Sequence, residues 1–192
     1  TPVKKAAYPK TWPREFPHVN YTSFYTLNDG NLQRATQLML RAYELTKEER
    51  YLNSAKKVGD FLILAQMPDP QPGWAQQYNH DMEPVWARKF EPPCVTGGES
   101  IGAMETLHEL YVVTGDDKFL KPLPDALAWY ERSALPDGQY ARFYELQVAR
   151  GSDRARAMAL ALASDWVAML ETCTEDQGRI QALVYAGNTL EV

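Results

Sequence analysis

The sequence predicts an all-α fold built from helical hairpins, and three observations lead to this prediction. The chain repeats itself, because "YELTKEERYLNSAKKVGDFLILAQMPD" from Tyr43 corresponds to "YVVTGDDKFLKPLPDALAWYERSALPD" from Tyr111. Apolar residues recur at helical spacing in this region. A threonine followed by acidic residues stands at the same place in each copy, as is typical where one helix ends and another begins. Hairpins that stack in this way form either an open solenoid or a closed α/α toroid.

The first unit is predicted to contain two helices joined by a tight turn. The apolar residues of the first helix are Leu32, Ala35, Leu38, Met39 and Ala42, and those of the second are Val58, Phe61, Leu62 and Ala65. Prolines at positions 68, 70 and 72 end the second helix, because proline lacks the amide hydrogen that a helix needs. The second unit repeats this plan, and residues 153–173, rich in Ala and Leu, predict a further helix.

Length and composition limit the classes of function. A chain of 192 residues predicts one domain, spanning residues 1–192. The net charge is −5 and no basic patch dominates, so we expect no nucleic-acid partner. No apolar run is long enough to span a membrane, so we expect no membrane partner either. Cys94 and Cys173 lie far apart in sequence, and we favour two buried free thiols over a disulfide.

Two loops at equivalent places in the repeat predict a cleft. "GWAQQYNHD" from Gly73 and "GQYARFYEL" from Gly138 each follow the second helix of a unit. In a toroid, equivalent loops converge on one face. We therefore expect the following residues near one another, beside the segment at 21–30: Trp74, Gln77, Tyr78, Tyr140, Arg142 and Tyr144. Aromatic residues usually pack in the core, but these recur in loops, which favours a cleft. For Asp29 a helix cap and a binding role both remain open.

Three segments carry a family resemblance. They are "WPREFPHVNYTSFYTLNDG", "GWAQQYNHDMEPVWARKFEPPCVTGGES" and "TGDDKFLKPLPDALAWYERSALPDGQYARFYEL". Through them the chain resembles the pectic acid lyases of polysaccharide lyase family ten, over most of residues 11–147. The resemblance implies an (α/α) toroid, complete or incomplete, that cleaves polygalacturonate by calcium-assisted β-elimination. It also implies a secreted or periplasmic protein, and we expect a monomer.

The resemblance also implies roles for individual residues. In catalysis, it implies Asp29 as the acid near the scissile bond, with Arg142 and Arg179 as clamps on substrate carboxylates. Arginine suits this task because its guanidinium can hold a carboxylate with two hydrogen bonds. The implied substrate contacts are Asn28, Tyr78, Arg88, Glu91, Arg142 and Tyr144, and the implied calcium ligands are Asp29, Asn79 and Asp81. At position 79 the family tends to carry Asp, and Asn brings no charge to the metal.

The chain departs from the family pattern after about residue 147, where it is much shorter. The family's catalytic arginine is expected a dozen or so residues beyond Arg179, and no Arg or Lys follows Arg179 here. Three explanations stay open: the base is missing, Arg179 or Arg142 has taken its role, or the chain is a truncated or degenerate copy.

Three functions rival a lyase. The first is a relic of the same fold that binds oligogalacturonate without cleaving it. The second is a helical-repeat scaffold that binds protein. The third is an inverting glycosidase that uses two carboxylates such as Asp29 and Glu91.

Overall fold

The structure is a computed structural model that describes residues 4–136 and 138–147. This part of the chain contains four α-helices: α1 (Asn31–Thr46), α2 (Glu49–Ala65), α3 (Gly97–Thr114) and α4 (Leu123–Arg132). It also contains four short strands: β1 (Tyr25–Thr26), β2 (Gln77–Tyr78), β3 (Cys94–Thr96) and β4 (Phe143–Glu145). The predicted helical class is confirmed. Arg179, Cys173 and the helix predicted for residues 153–173 lie outside the described residues.

The first helix of each unit ends in the same way, as the repeat predicts. The hydroxyl groups of Thr46 and Thr114 donate to the carbonyl four residues earlier, at 2.8 and 2.6 Å. Each hydroxyl also accepts from the amide two residues later, at 3.2 Å in both units. The residues that follow the threonines, Lys47 and Gly115, have φ of 58° and 67°. This left-handed geometry commonly ends helices and costs glycine nothing.

The second helices of the two units differ. α2 runs for 17 residues without interruption. In the second unit a 3₁₀ turn at Asp117–Phe119 precedes α4, and Pro122 stands just before its first residue. Proline is tolerated at a helix start but not in its interior, so it divides this helix into two pieces. The Asp116 carboxylate caps the 3₁₀ turn by accepting from the amide of Lys118 at 3.1 Å.

Two loop tyrosines, Tyr78 and Tyr144, attach the loop of each unit to the end of its second helix. The Tyr78 hydroxyl accepts from the amide of Ala75 and donates to the carbonyl of Ala65, both at 2.7 Å. The Tyr144 hydroxyl accepts from the amide three residues before it at 2.9 Å and donates to the carbonyl of Ser133 at 3.0 Å. The same residue type therefore makes the same pair of hydrogen bonds in both units.

Short antiparallel ladders complete each unit. Tyr25 of β1 lies opposite Tyr78 of β2, and Val95 of β3 lies opposite Tyr144 of β4. The two units meet where α2 packs against α3 and the 3₁₀ turn, around the buried Gly59. Among the described residues, none of the helices combines the length and the apolar character that a membrane span requires.

Candidate functional site

A cavity of about 520 Å³ lies where α1 begins, where α3 begins and where the loop enters β4. Both units contribute to its wall. Its main polar lining residues are Asp29, Gln33, Glu99, Tyr130, Tyr140 and Arg142. The cavity therefore brings together Asp29 and Arg142, two of the three residues to which the sequence assigns catalysis, across 113 residues of chain.

Asp29 reaches this cavity because the first unit contains an extra turn. The amide of Leu27 donates to the carbonyl of Gln76 at 2.8 Å, and the amide of Gly97 donates to the carbonyl of Arg142 at 3.1 Å. These two bonds are equivalent in the repeat. The stretch from Leu27 to the end of α1 is two residues longer than the stretch from Gly97 to the end of α3. The added length forms the 3₁₀ turn Asn28–Gly30.

In this turn the Asp29 side chain pairs with a residue outside the helix that follows. Asp29 has φ of 60°, an uncommon value for a residue with a side chain. No side chain caps the start of α1, so Asp29 does not act as a helix cap. The Asp29 carboxylate is half-exposed and pairs with Arg88 instead. An uncommon backbone conformation of this kind is frequent at functional sites.

Arg88 lies between two carboxylates. Its Nη2 donates to Oδ1 of Asp29 at 3.1 Å and also to Oε1 of Glu91. The Glu91 side chain is fully buried and accepts in addition from the Arg88 amide at 3.0 Å. The hydrogen bond with Glu91 is the main cause that raises the pKa of Arg88 above its usual value. Arg88 is therefore a fixed cation that orients Asp29, and it is unsuited to act as a base.

Arg142 has a different environment from Arg88. Among residues 4–136 and 138–147, no carboxylate pairs with its guanidinium group, which lies 5.2 Å from the centre of the Phe143 ring. In the first unit the equivalent position is Gln76, whose side chain is almost completely buried. The second unit thus presents a half-exposed cation to the cavity where the first has a buried amide. A cation without a carboxylate partner at a cavity wall suits an anionic ligand.

Most of the aromatic residues predicted to line the cleft belong to the core, and this is a correction. Trp74, Gln77 and Tyr78 are fully buried, and Tyr144 is 8% exposed. Their recurrence in loops reflects the loop attachment described above. Burial raises the pKa of Tyr144 to about 12 and raises that of Tyr78 further, so both hydroxyls stay protonated as their hydrogen bonds require. Of this set, Tyr140 and Arg142 line the cavity.

Two further predicted substrate contacts are also buried. Glu91 is 0% exposed, so its role is to hold Arg88 and not to touch a substrate. Asn28 is 5% exposed, and its carbonyl accepts from the side chain of Asn31 at 3.2 Å. Arg88, at 35% side-chain exposure, remains within reach of a ligand that approaches Asp29.

The three predicted calcium ligands do not form one oxygen cage. Oδ1 of Asn79 accepts from the amides of Asp81 and Glu83, at 2.9 and 3.0 Å, which occupies both of its lone pairs. The Asp81 carboxylate pairs with Lys4 at 2.5 Å. The ladder places Asn79 beyond one end of β1 and Asp29 beyond the other. Within the described ranges, no group of three His, Cys, Asp or Glu residues can hold a metal ion. Calcium binding therefore stays a prediction.

Three of the main polar cavity residues carry no signal in the sequence. Glu99 stands in the first turn of α3, where an acidic residue is ordinary and carries no signal of its own. Gln33 lies in α1 and bonds to Glu105 at 2.7 Å. Tyr130 lies within α4, where its spacing resembles that of any core aromatic residue. No local motif distinguishes these positions, because they line one cavity only where α1, α3 and α4 come together in the fold.

The sequence matches one known family. The family model for pectic acid lyases matches residues 4–157. The chain belongs to the pectic acid lyase family. A comparison with the curated proteins finds no match. Membership supports a pectate lyase-like function in general and pectate as the class of substrate.

Proposed function

We propose that this protein cleaves polygalacturonate by β-elimination in the cavity lined by Asp29 and Arg142. One observation carries the proposal: these residues come from different repeat units and line one cavity, and Arg142 has no carboxylate partner in the described part of the chain. A polyuronate carries one carboxylate on each sugar, which is the group that a guanidinium binds best.

The reaction needs three events at the sugar. A base removes the proton on C5, the C4–C5 double bond forms, and the C4–O bond breaks as the leaving oxygen takes up a proton. Hydrogen bonds from Arg142 to the substrate carboxylate would withdraw charge and make the C5 proton more acidic. While Arg142 holds the carboxylate, the base in this proposal is Arg179, which lies outside the described residues; Arg142 takes that role only where another group holds the carboxylate. An arginine is ordinarily protonated, so the site must favour its transient deprotonation.

Arg88 has a separate task in this proposal. A negatively charged Asp29 alone would repel an anionic sugar. Arg88 offsets that charge and keeps the Asp29 carboxylate oriented, while the buried Glu91 keeps Arg88 in place. The arrangement leaves Asp29 available to hydrogen-bond a sugar hydroxyl or the leaving oxygen.

Four finer features belong to the same proposal. They are calcium assistance, closure of the helical hairpins into an (α/α) toroid, a monomeric state, and secretion or export to the periplasm. The family resemblance supports calcium assistance, the toroid and secretion or export, while the monomeric state is an expectation of its own. The calcium requirement has a direct test. A chelator should abolish turnover, and returning calcium should restore it. We assign no set of calcium ligands among the described residues.

The test of the reaction is the absorbance of the unsaturated uronate that elimination produces. We expect it to rise when the protein is incubated with polygalacturonate and calcium. Arg142→Ala should lower the rate by about 10² to 10³, the usual cost of losing one hydrogen-bond donor positioned at developing negative charge. The control is Arg41→Ala, which removes an exposed arginine paired with Glu44 and should leave the rate unchanged.

Other outcomes identify the rival functions. New reducing ends without the absorbance would indicate hydrolysis. Binding of trigalacturonate without turnover would indicate a binding relic. Absence of binding to any uronate would contradict the proposal and leave a helical scaffold as the better interpretation.

A further inference from the structure

Tyr140 presents an aromatic ring at the cavity. Its ring stacks on that of Tyr130, with centroids 3.9 Å apart and planes 25° from parallel. Tyr140 is 39% exposed, and both tyrosines line the cavity. Tyr130 in turn lies edge-on to the buried Trp129, with centroids 6.1 Å apart. Tyr140 therefore combines a fixed position with substantial exposure to solvent.

The repeat shows that this exposure is not required by the fold. The equivalent position in the first unit is Trp74, which is fully buried and donates its indole N–H to the carbonyl of Leu62 at 2.8 Å. An aromatic side chain gains free energy from burial, so an exposed ring at an otherwise buried position needs another reason. Gln76 and Arg142 show the same contrast, with the buried residue in the first unit and the cavity residue in the second.

We propose that Tyr140 is a stacking surface for one pyranose ring of the substrate, and that Arg142 binds the carboxylate of the same sugar. This inference rests on the proposed function and names a subsite within it. Ala141 between the two is 1% exposed, and Tyr140 and Arg142 line the same cavity, so both side chains are placed to contact one ligand. The C–H groups on the flat face of a sugar are weakly positive, and the face of a tyrosine ring is negative. Ring and guanidinium together recognise a sugar acid.

The experiment separates stacking from charge by using two ligands. Calorimetry measures the affinity of the full chain for trigalacturonate and for its fully methyl-esterified form, which keeps the rings and lacks the charges. Tyr140→Leu keeps apolar volume without a flat face and should weaken both ligands by about 3- to 10-fold. Tyr140→Phe keeps the face and should stay within about twofold of the parent. Arg142→Ala should weaken the acid form much more than the ester.

Two further variants check the interpretation. Tyr140→Ala should repeat the effect of Tyr140→Leu, and a circular dichroism melt confirms that each variant folds. Tyr51→Ala removes a half-buried tyrosine on α2 outside the cavity and should change neither affinity.

Each remaining outcome contradicts the inference. Unchanged affinities in Tyr140→Leu would exclude stacking while leaving the proposed function intact. Loss of affinity for the acid form alone would mean that Tyr140 acts only by positioning Arg142. Failure of the parent chain to bind either ligand would overturn the proposed function together with this subsite.

Discussion

At the scale of single residues, the structure separates roles that the sequence had grouped together. Arg88 and Glu91 lie three positions apart, and the resemblance implies that both contact substrate. Glu91 is instead a buried anion whose side chain meets Arg88, and Arg88 in turn meets Asp29. A buried charge is tolerated only when it is paired and hydrogen-bonded. The pairing makes Glu91 a positioning residue for the cavity.

The substitution Glu91→Gln tests this role. It keeps the shape of the side chain and removes its charge, so the charge-assisted hydrogen bonds from Arg88 weaken. We expect the free energy of unfolding to fall by about 1–3 kcal/mol. The control is Glu44→Gln, which breaks an exposed pair with Arg41 and should cost about 1 kcal/mol or less. Urea titration of both variants measures the difference, and equal small losses would contradict a structural role for Glu91.

At the scale of elements, the repeat acts through its turns and loops more than through its helices. α1 and α3 end in the same threonine turn, and each loop is attached by a tyrosine hydroxyl to the end of the preceding helix. The second unit tolerates Pro122 before α4 because the loop is attached at the far end of that helix. The loops of the two units therefore hold equivalent positions even though α2 and α4 differ in length.

Removing the hydroxyl groups of the loop tyrosines tests this attachment. Tyr78→Phe leaves a buried amide at Ala75 and a carbonyl at Ala65 without their partner, which should cost about 1–3 kcal/mol of unfolding free energy. Tyr144→Phe should cost a similar amount in the second unit. Tyr43→Phe is the control, because its hydroxyl makes one exposed bond to Glu49 at 3.3 Å. Thermal melts that show equal losses in all three would contradict the prediction.

At the scale of the molecule, the two units pack closely enough to exclude a methyl group. A Cβ atom built on Gly59 of α2 would lie 2.4 Å from a ring carbon of Phe119 and 2.5 Å from a methyl carbon of Leu110. Both neighbours are fully buried. The distance between the units therefore depends on the absence of a side chain at position 59.

The substitution Gly59→Ala should destabilise the whole fold. Alanine favours a helix interior by about 1 kcal/mol over glycine, but the overlap forces Phe119 to move, and overpacking of a core typically costs about 1–3 kcal/mol. We expect a net loss in denaturant unfolding. Gly98→Ala in α3 is the matched control, because a Cβ there meets nothing within 4 Å and the helix should gain stability. A gain in both variants would contradict close packing of the units.

The helical class, the hairpin repeat, the capping turns and the family all follow from the sequence alone. These features are local or periodic: helical spacing, proline positions and the threonine turn depend on neighbouring residues in the chain. The sequence also pointed to Asp29 and Arg142, through motifs that the family shares. It could not assign burial to Tyr78, Tyr140 and Tyr144, because all three stand in similar loops.

Which of these side chains are buried and which line the cavity is visible only in the tertiary structure. Tyr78 and Tyr144 lie in the core because helix ends and strands from elsewhere in the chain cover them, while Tyr140 lies at a cavity. Arg88 and Asp29 are 59 residues apart, and no local pattern states that they pair. Burial and charge pairing depend on what other elements bring to a position, and that information is absent from the residue and its sequence neighbours.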